Sequence, residues 1–214
     1  MLLLFLVGYN VDAQERPGAS EGTGPAEWSV ELDYAAHTGD MLEVKRQLGG
    51  PADVDQQLRS TGNATPLIRA ANAGHADLVR LLLLAGAGAD YRTINGETAL
   101  MRAAANGHVG AVGALVEASK PDLELVGYGQ GFTALRMAAA RGHGDVVRRL
   151  LEAGADADNI DTLGRSPLIF ASGNGNVDAV KALLEWGAAV NLADANGRTA
   201  FETATKNQNP DHQV

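Results

Sequence analysis

The residues best suited to chemistry recur at even intervals. His75, His108 and His143 each follow a glycine, as Gly74-His75, Gly107-His108 and Gly142-His143. Imidazole is the commonest metal ligand, so an evenly spaced set invites a metal reading. A metal needs its ligand atoms within ~2.1 Å. Histidines on successive helical layers would stand ~8–10 Å apart, so they are expected to close helix corners. Gly127-Tyr128-Gly129-Gln130-Gly131 invites a phosphate loop, but the glycine spacing is wrong and no Lys-Ser/Thr follows. These glycines are expected to shape a turn. Ser166 and Ser172 have no histidine beside them in sequence. Asp and Glu are frequent, yet no pair is set for a glycosidase dyad. Asn63-Ala64-Thr65 matches a glycosylation sequon, and a turn residue explains it as well. With no cysteine, disulfides, thiolate zinc sites and a Cys nucleophile are ruled out. The expectation is a protein that is not an enzyme, with no metal and no cofactor.

The elements that carry these residues repeat. Ala64-Thr-Pro-Leu-Ile-Arg-Ala-Ala71, Glu97-Thr-Ala-Leu-Met-Arg-Ala-Ala104, Phe132-Thr-Ala-Leu-Arg-Met-Ala-Ala139 and Arg165-Ser-Pro-Leu-Ile-Phe-Ala-Ser172 align without gaps. From Thr65 through Thr98, Thr133 and Ser166 to Thr199 the spacings are 33, 35, 33 and 33. Each Thr or Ser can cap the start of a helix, and Pro66 and Pro167 suit a first helical turn. Paired alanines keep that helix slim, and Gly74, Gly107, Gly142 and Gly175 end it, with positive φ expected. A second helix follows, as over Asp77–Leu84. Its apolar face is Val79, Leu82 and Leu83, repeated as Val112, Leu115, Val116, as Val147, Leu150, Leu151 and as Val180, Leu183, Leu184. Ala85-Gly-Ala87, Ala153-Gly-Ala155 and Trp186-Gly-Ala188 end it, with Ala118-Ser119-Lys120 in that place once.

A 33-residue period with this phrasing resembles the ankyrin repeat. The likeness runs from about Leu32 to Lys206 and departs from the family at one place. The family's His after the Leu is replaced by Ile68, Met101, Arg136 and Ile169, so a hydrogen bond common in the family is absent. The resemblance implies an all-α fold, a solenoid of stacked helix-turn-helix units joined by short β-turn and hairpin loops. Units of this kind bury their apolar faces only against one another. The expected division is a divergent first repeat over 31–60, repeats at about 61–93, 94–127, 128–160 and 161–193, and a partial cap over 194–206. Around it stand a flexible linker over 14–30 and a tail over 207–214.

Composition narrows the partners. The chain carries a formal net charge of -9, with aromatics at 5% and hydrophobics at 45%. An acidic surface disfavours phosphate backbones and anionic lipid. Leu2 to Val7 form an apolar run too short to span a membrane, with small residues at Val11-Asp12-Ala13. Residues 1–13 resemble the end of a secretory signal peptide, although no Lys or Arg precedes the run. Together with the alanine-rich helices, this looks most like bacterial ankyrin proteins, which points to a periplasmic or secreted protein, the alternative being a cytoplasmic one.

Ankyrin-like stacks bind through the turn tips and the exposed face of the first helices. Carried over by position, the resemblance assigns partner contact to Arg59, Thr61, Tyr91, Arg92, Ile94, Tyr128, Gln130, Phe132, Leu163 and Arg165 at the turns. On the first helices it assigns Asn72, Asn106, Arg141 and Asn174. The loop before the third full repeat is expected to hold the two-residue insertion. With Tyr128 and Phe132 on it, that loop is the expected hot spot. The expected function is a monomeric scaffold for another protein. A module for a small ligand or cofactor in the bacterial cell envelope is the alternative.

Overall fold

The structure, a computed structural model, describes residues 25–129 and 131–208. Among them the chain forms eleven α-helices. They are α1 (Pro25–Thr38), α2 (Met41–Leu48), α3 (Pro66–Ala73), α4 (Ala76–Leu84), α5 (Ala99–Ala105), α6 (Val109–Ser119), α7 (Ala134–Arg141), α8 (Gly144–Glu152), α9 (Pro167–Gly173), α10 (Val177–Glu185) and α11 (Ala200–Gln208). α1 to α10 pair in order as antiparallel hairpins, and α11 packs on α9. α1, α3, α5, α7, α9 and α11 then stack into one row, and α4, α6, α8 and α10 into a second. The core is accordingly one continuous band of small side chains from Leu32 to Ala200.

The local causes are those the sequence announces. The side-chain oxygens of Thr65, Thr98, Thr133 and Ser166 accept the N–H of Ile68, Met101, Arg136 and Ile169, each at 3.3 Å. Such a cap stabilises by ~1 kcal/mol. At Thr199 the cap is reciprocal, because Glu202 reaches back to the Thr199 N–H at 2.7 Å. Ala70, Ala71, Ala103, Ala104, Ala138 and Ala139 are fully buried, which lets the first-row helices approach closely. The glycines after these helices have φ of 70 to 82°, where L side chains are strained. Ile68, Met101 and Ile169 are buried, so apolar packing fills the slot of the missing hydrogen bond.

Four expectations need correction. α1 begins at Pro25, inside the segment expected to be a linker over 14–30, and α11 runs past residue 206 to Gln208. Leu184, expected on the buried face of α10, is exposed. Its equivalents Leu83 and Val116 are half-buried and Leu151 is buried, and among the described residues no second-row helix follows α10. The two-residue insertion is split. The left-handed residue ending the second helix falls at Gly86, Gly154 and Gly187 in three repeats, but at Lys120 it stands one residue later in the repeat. The hairpin bond joins residues four apart at Thr93–Glu97, Asp161–Arg165 and Asp194–Arg198, but five apart at Gly127–Phe132. One extra residue therefore lengthens the end of α6, and only the other enlarges the hairpin. The signal-peptide segment 1–13, most of the tail over 207–214 and Gln130 lie outside the described residues.

Candidate functional site

The first-row helices bury nearly every side chain over 64–71, 98–105, 133–139 and 166–171. Within these runs Arg69, Arg102, Met137 and Phe170 are the half-exposed exceptions. All four occupy the same place, four residues after the cap. A helix turn of 3.6 residues sets them opposite the buried Leu and Ala positions, so they form a line along the open side of the row. Tyr34, aligned through Ala35-Ala36, continues the line onto α1 and is exposed. Asp33 and the hairpin residues Glu97 and Arg165 touch this line. Arg69 Nε lies 3.3 Å from Asp33, Arg102 Nη2 lies 2.7 Å from Glu97, and the Arg165 guanidinium sits 4.5 Å from the centroid of the Phe170 ring. Tips and helices thus share one face.

The hairpin tips present apolar side chains at successive layers. Tyr91 is 45% exposed, Ile94 63%, Tyr128 67% and Leu163 49%. Their backbones are tied across layers, with Ile94 N–H donating to Gly62 O at 2.9 Å, Tyr128 N–H to Asn95 O at 3.0 Å and Ala195 N–H to Leu163 O at 2.8 Å. Arg92 Nη1 donates to Val126 O at 2.9 Å. Arg59 and Thr61 form a short 3-10 turn at the first tip, where Arg59 is exposed. Such cross-layer bonds rigidify the tips, so their side chains are held out on a fixed frame.

The third and fourth layers build a denser cluster. Phe132 packs on Phe170 with centroids 5.1 Å apart and rings tilted by 59°. Arg165 lies over the same Phe170 ring and pairs with Asp161 at 2.7 Å. Burial pushes the Asp161 carboxyl up, but the N–H of Arg165, its guanidinium and the N–H of Leu163 outweigh it, and the net shift is downward. Beneath lies Arg136, in the slot that holds Ile or Met elsewhere, fully buried. Its Nη2 donates to Gly131 O, while Nε and Nη1 have no hydrogen-bond partner. Burial is the largest influence on its guanidinium and pushes its pKa down, against the opposing pull of Asp161 and Glu124.

The histidines and several of the expected contact residues form hydrogen bonds between layers. Asn72 O accepts from Asn106 Nδ2 at 3.1 Å and from His108 Nε2 at 3.0 Å. Ala105 O accepts from Arg141 Nη1 at 2.9 Å and His143 Nε2 at 3.1 Å. Ala140 O accepts from Asn174 Nδ2 at 2.7 Å and Asn176 Nδ2 at 2.9 Å. A carbonyl has no hydrogen to give, so Nε2 carries the proton in both histidines. Each repeat therefore satisfies an orphan carbonyl at the end of its predecessor's first helix. Asn72, Asn106, Arg141 and Asn174 belong to this ladder, which ties layers together. His75 does the same to His37 O at 3.0 Å.

The structure thus places Tyr91, Arg92, Ile94, Tyr128, Phe132, Leu163 and Arg165 along the tips, with Arg59 and Thr61 at the N-terminal end. Sequence reasoning missed Tyr34, Arg69, Arg102, Met137 and Phe170. Their signal was in the alignment itself: a position that changes from Arg to Met to Phe inside otherwise matching strings.

Among the described residues no group of three or more His, Asp or Glu side chains is set to hold a metal, and no helix is long and apolar enough to cross a membrane. A shallow cleft of about 240 Å³ lies on the other flank, lined by Gly107, Val109, Gly142, His143, Arg148 and Asp178 among others. It falls below the ~300 Å³ at which small-molecule pockets begin. The family model described as "Ankyrin repeats (3 copies)" matches residues 32–126, 83–161 and 135–212. No curated protein matches the chain.

Proposed function

Since this chain belongs to the ankyrin-repeat family, whose repeats generally mediate protein–protein interactions, we propose that it is a scaffold that holds another protein along the tips and the open side of the first-helix row. One observation carries the reading. Tyr91 with Ile94, then Tyr128, then Leu163 stand exposed on three successive tips whose backbones are cross-bonded. An apolar line on a preformed frame limits the ordering cost of association. Aromatic and Arg side chains are those that dominate binding energy, and Arg92, Tyr128 and Phe132 supply them here.

Replacing Arg92, Tyr128 and Phe132 together by alanine, with helicity intact by circular dichroism, is expected to weaken partner binding at least tenfold, about 1.4 kcal/mol. Unchanged affinity rejects the assignment. The apolar run at Leu2–Val7 supports export to the periplasm or secretion, in the manner of a bacterial protein. Sequencing the N-terminus of the mature protein tests this, and an intact Met1 rejects it.

A further inference from the structure

We infer that the partner segment is an extended, acidic one: two carboxylates about three residues apart, followed after similar intervals by apolar side chains. The inference rests on the protein-binding reading above and names the chemistry of its ligand.

The line along the first-helix row is ordered by type. Tyr34 stands at one end, Arg69 and Arg102 follow on adjacent layers, and Met137 and Phe170 complete it, with Phe132 and Arg165 packed around the last. The chain as a whole carries a formal net charge of -9. Here it presents two adjacent guanidinium groups at half-exposed positions. Arg carries five N–H donors in a planar fork that matches a carboxylate with two parallel bonds. Asp33 engages Arg69 at Nε, and Glu97 engages Arg102 at Nη2. Each internal carboxylate forms an ion pair with its arginine and leaves other N–H donors of the five for a ligand. Arg59 and Arg92 at the neighbouring tips add positive charge, and Arg92 is held by a neutral carbonyl.

Spacing follows from the layers. Packed helices stand ~8–10 Å apart, and an extended chain advances ~3.3 Å per residue. A segment running along the row therefore meets a new layer about every third residue. Carboxylates three apart address Arg69 and Arg102, and the next two intervals bring apolar groups to Met137 and to the Phe132–Phe170 pair. A basic segment would bring like charge against the two guanidinium groups, and a wholly apolar one would bury the N–H donors that Asp33 and Glu97 leave unmatched.

The test uses the full chain as bait for a phage-displayed random dodecapeptide library, followed by fluorescence anisotropy on resynthesised peptides. Enriched peptides are expected to share two acidic residues about three apart with apolar residues to one side. Their affinity should fall at least tenfold in Arg102→Glu, with helicity checked by circular dichroism, and be restored when the facing peptide carboxylate becomes Lys. Arg80→Ala, on the opposite flank, should change nothing. Peptides lost on Phe170→Ala but indifferent to Arg69→Ala and Arg102→Glu overturn the acidic inference and leave the scaffold reading standing. Peptides indifferent to every open-side substitution, or no enrichment over an uncoated surface, overturn both.

Discussion

The ring of His143 lies against Gly107 of the preceding repeat: a Cβ built on that glycine would come within 2.7 Å of the His143 Nδ1. The same imidazole donates from Nε2 to Ala105 O. Two features of the Gly-His pair are therefore one device, in which the glycine leaves room for the ring that the next layer sends across.

Gly107→Ala is expected to destabilise the stack by more than the left-handed backbone alone would predict. At φ 75° an L side chain costs ~1–2 kcal/mol, and here the ring must also move. Gly175→Ala isolates the two effects. Its φ is 70°, but a Cβ there meets nothing within 4 Å. Urea unfolding should rank Gly107→Ala well below Gly175→Ala, and equal midpoints would dissolve the link to His143.

Nature has already made the conservative change once. Asn176 takes the histidine's place in the fourth repeat and donates to Ala139 O and Ala140 O, each at 2.9 Å. His143→Asn should accordingly cost less than His143→Ala, by about the 1 kcal/mol of a net hydrogen bond. Chemical denaturation of the two variants compares them directly. An asparagine variant no better than the alanine one would show that ring packing, not donation, holds the layers.

Arg136 is a buried charge with two unmatched donor atoms, Nε and Nη1. Met101 fills the equivalent slot in the repeat before. Arg136→Met removes the desolvation penalty while keeping length, at the loss of the bond to Gly131 O. It is expected to raise the unfolding free energy by about 1–2 kcal/mol. A lower urea midpoint would mean that the guanidinium supports the enlarged hairpin after all.

Acid should act through the hairpin aspartates. The Asp194 carboxyl accepts the N–H of Arg198 first, then its guanidinium and the N–H of Asn196, and its pKa is lowered to about 2. The unfolded value is ~3.9. Its stabilisation is therefore complete above pH ~4 and is lost as pH falls through about 2, and Asp161 shifts the same way. Asp33 runs opposite. Burial raises its pKa and Arg69 offsets this only in part, so its contribution weakens as pH rises. Thermal melts between pH 5 and 2.5 should show a shallower acid decline for Asp194→Asn than for the wild-type chain. A decline as steep as the wild type's would remove Asp194 from the account.

Much of the fold was readable because its causes are local. Thr65, Thr98, Thr133 and Ser166 cap helices through bonds to residues three along, and such spacing is visible in a string of letters. The site was less readable because it is assembled between repeats. Asn106, Arg141 and Asn174 look like free surface polar groups, yet their partners lie 34 to 36 residues away, and nothing local announces a bond of that length. Arg69, Arg102, Met137 and Phe170 escaped for another reason. Each looks like noise within a repeat, and only the stacking of layers turns the four into a line. The insertion misled in the same way, since a count of 35 says how many residues were added but not that helix and hairpin shared them.

The carbonyl ladder runs one way, each unit completing the one before it. A recombination event that drops or doubles one whole unit would re-create a junction in which side-chain N–H donors again face a helix-end carbonyl. One that breaks within a unit would strand a carbonyl at a helix end. Lengthening or shortening such an array in complete modules is thus the change its chemistry forgives, and the ordered line on its open flank would lengthen or shorten in the same steps.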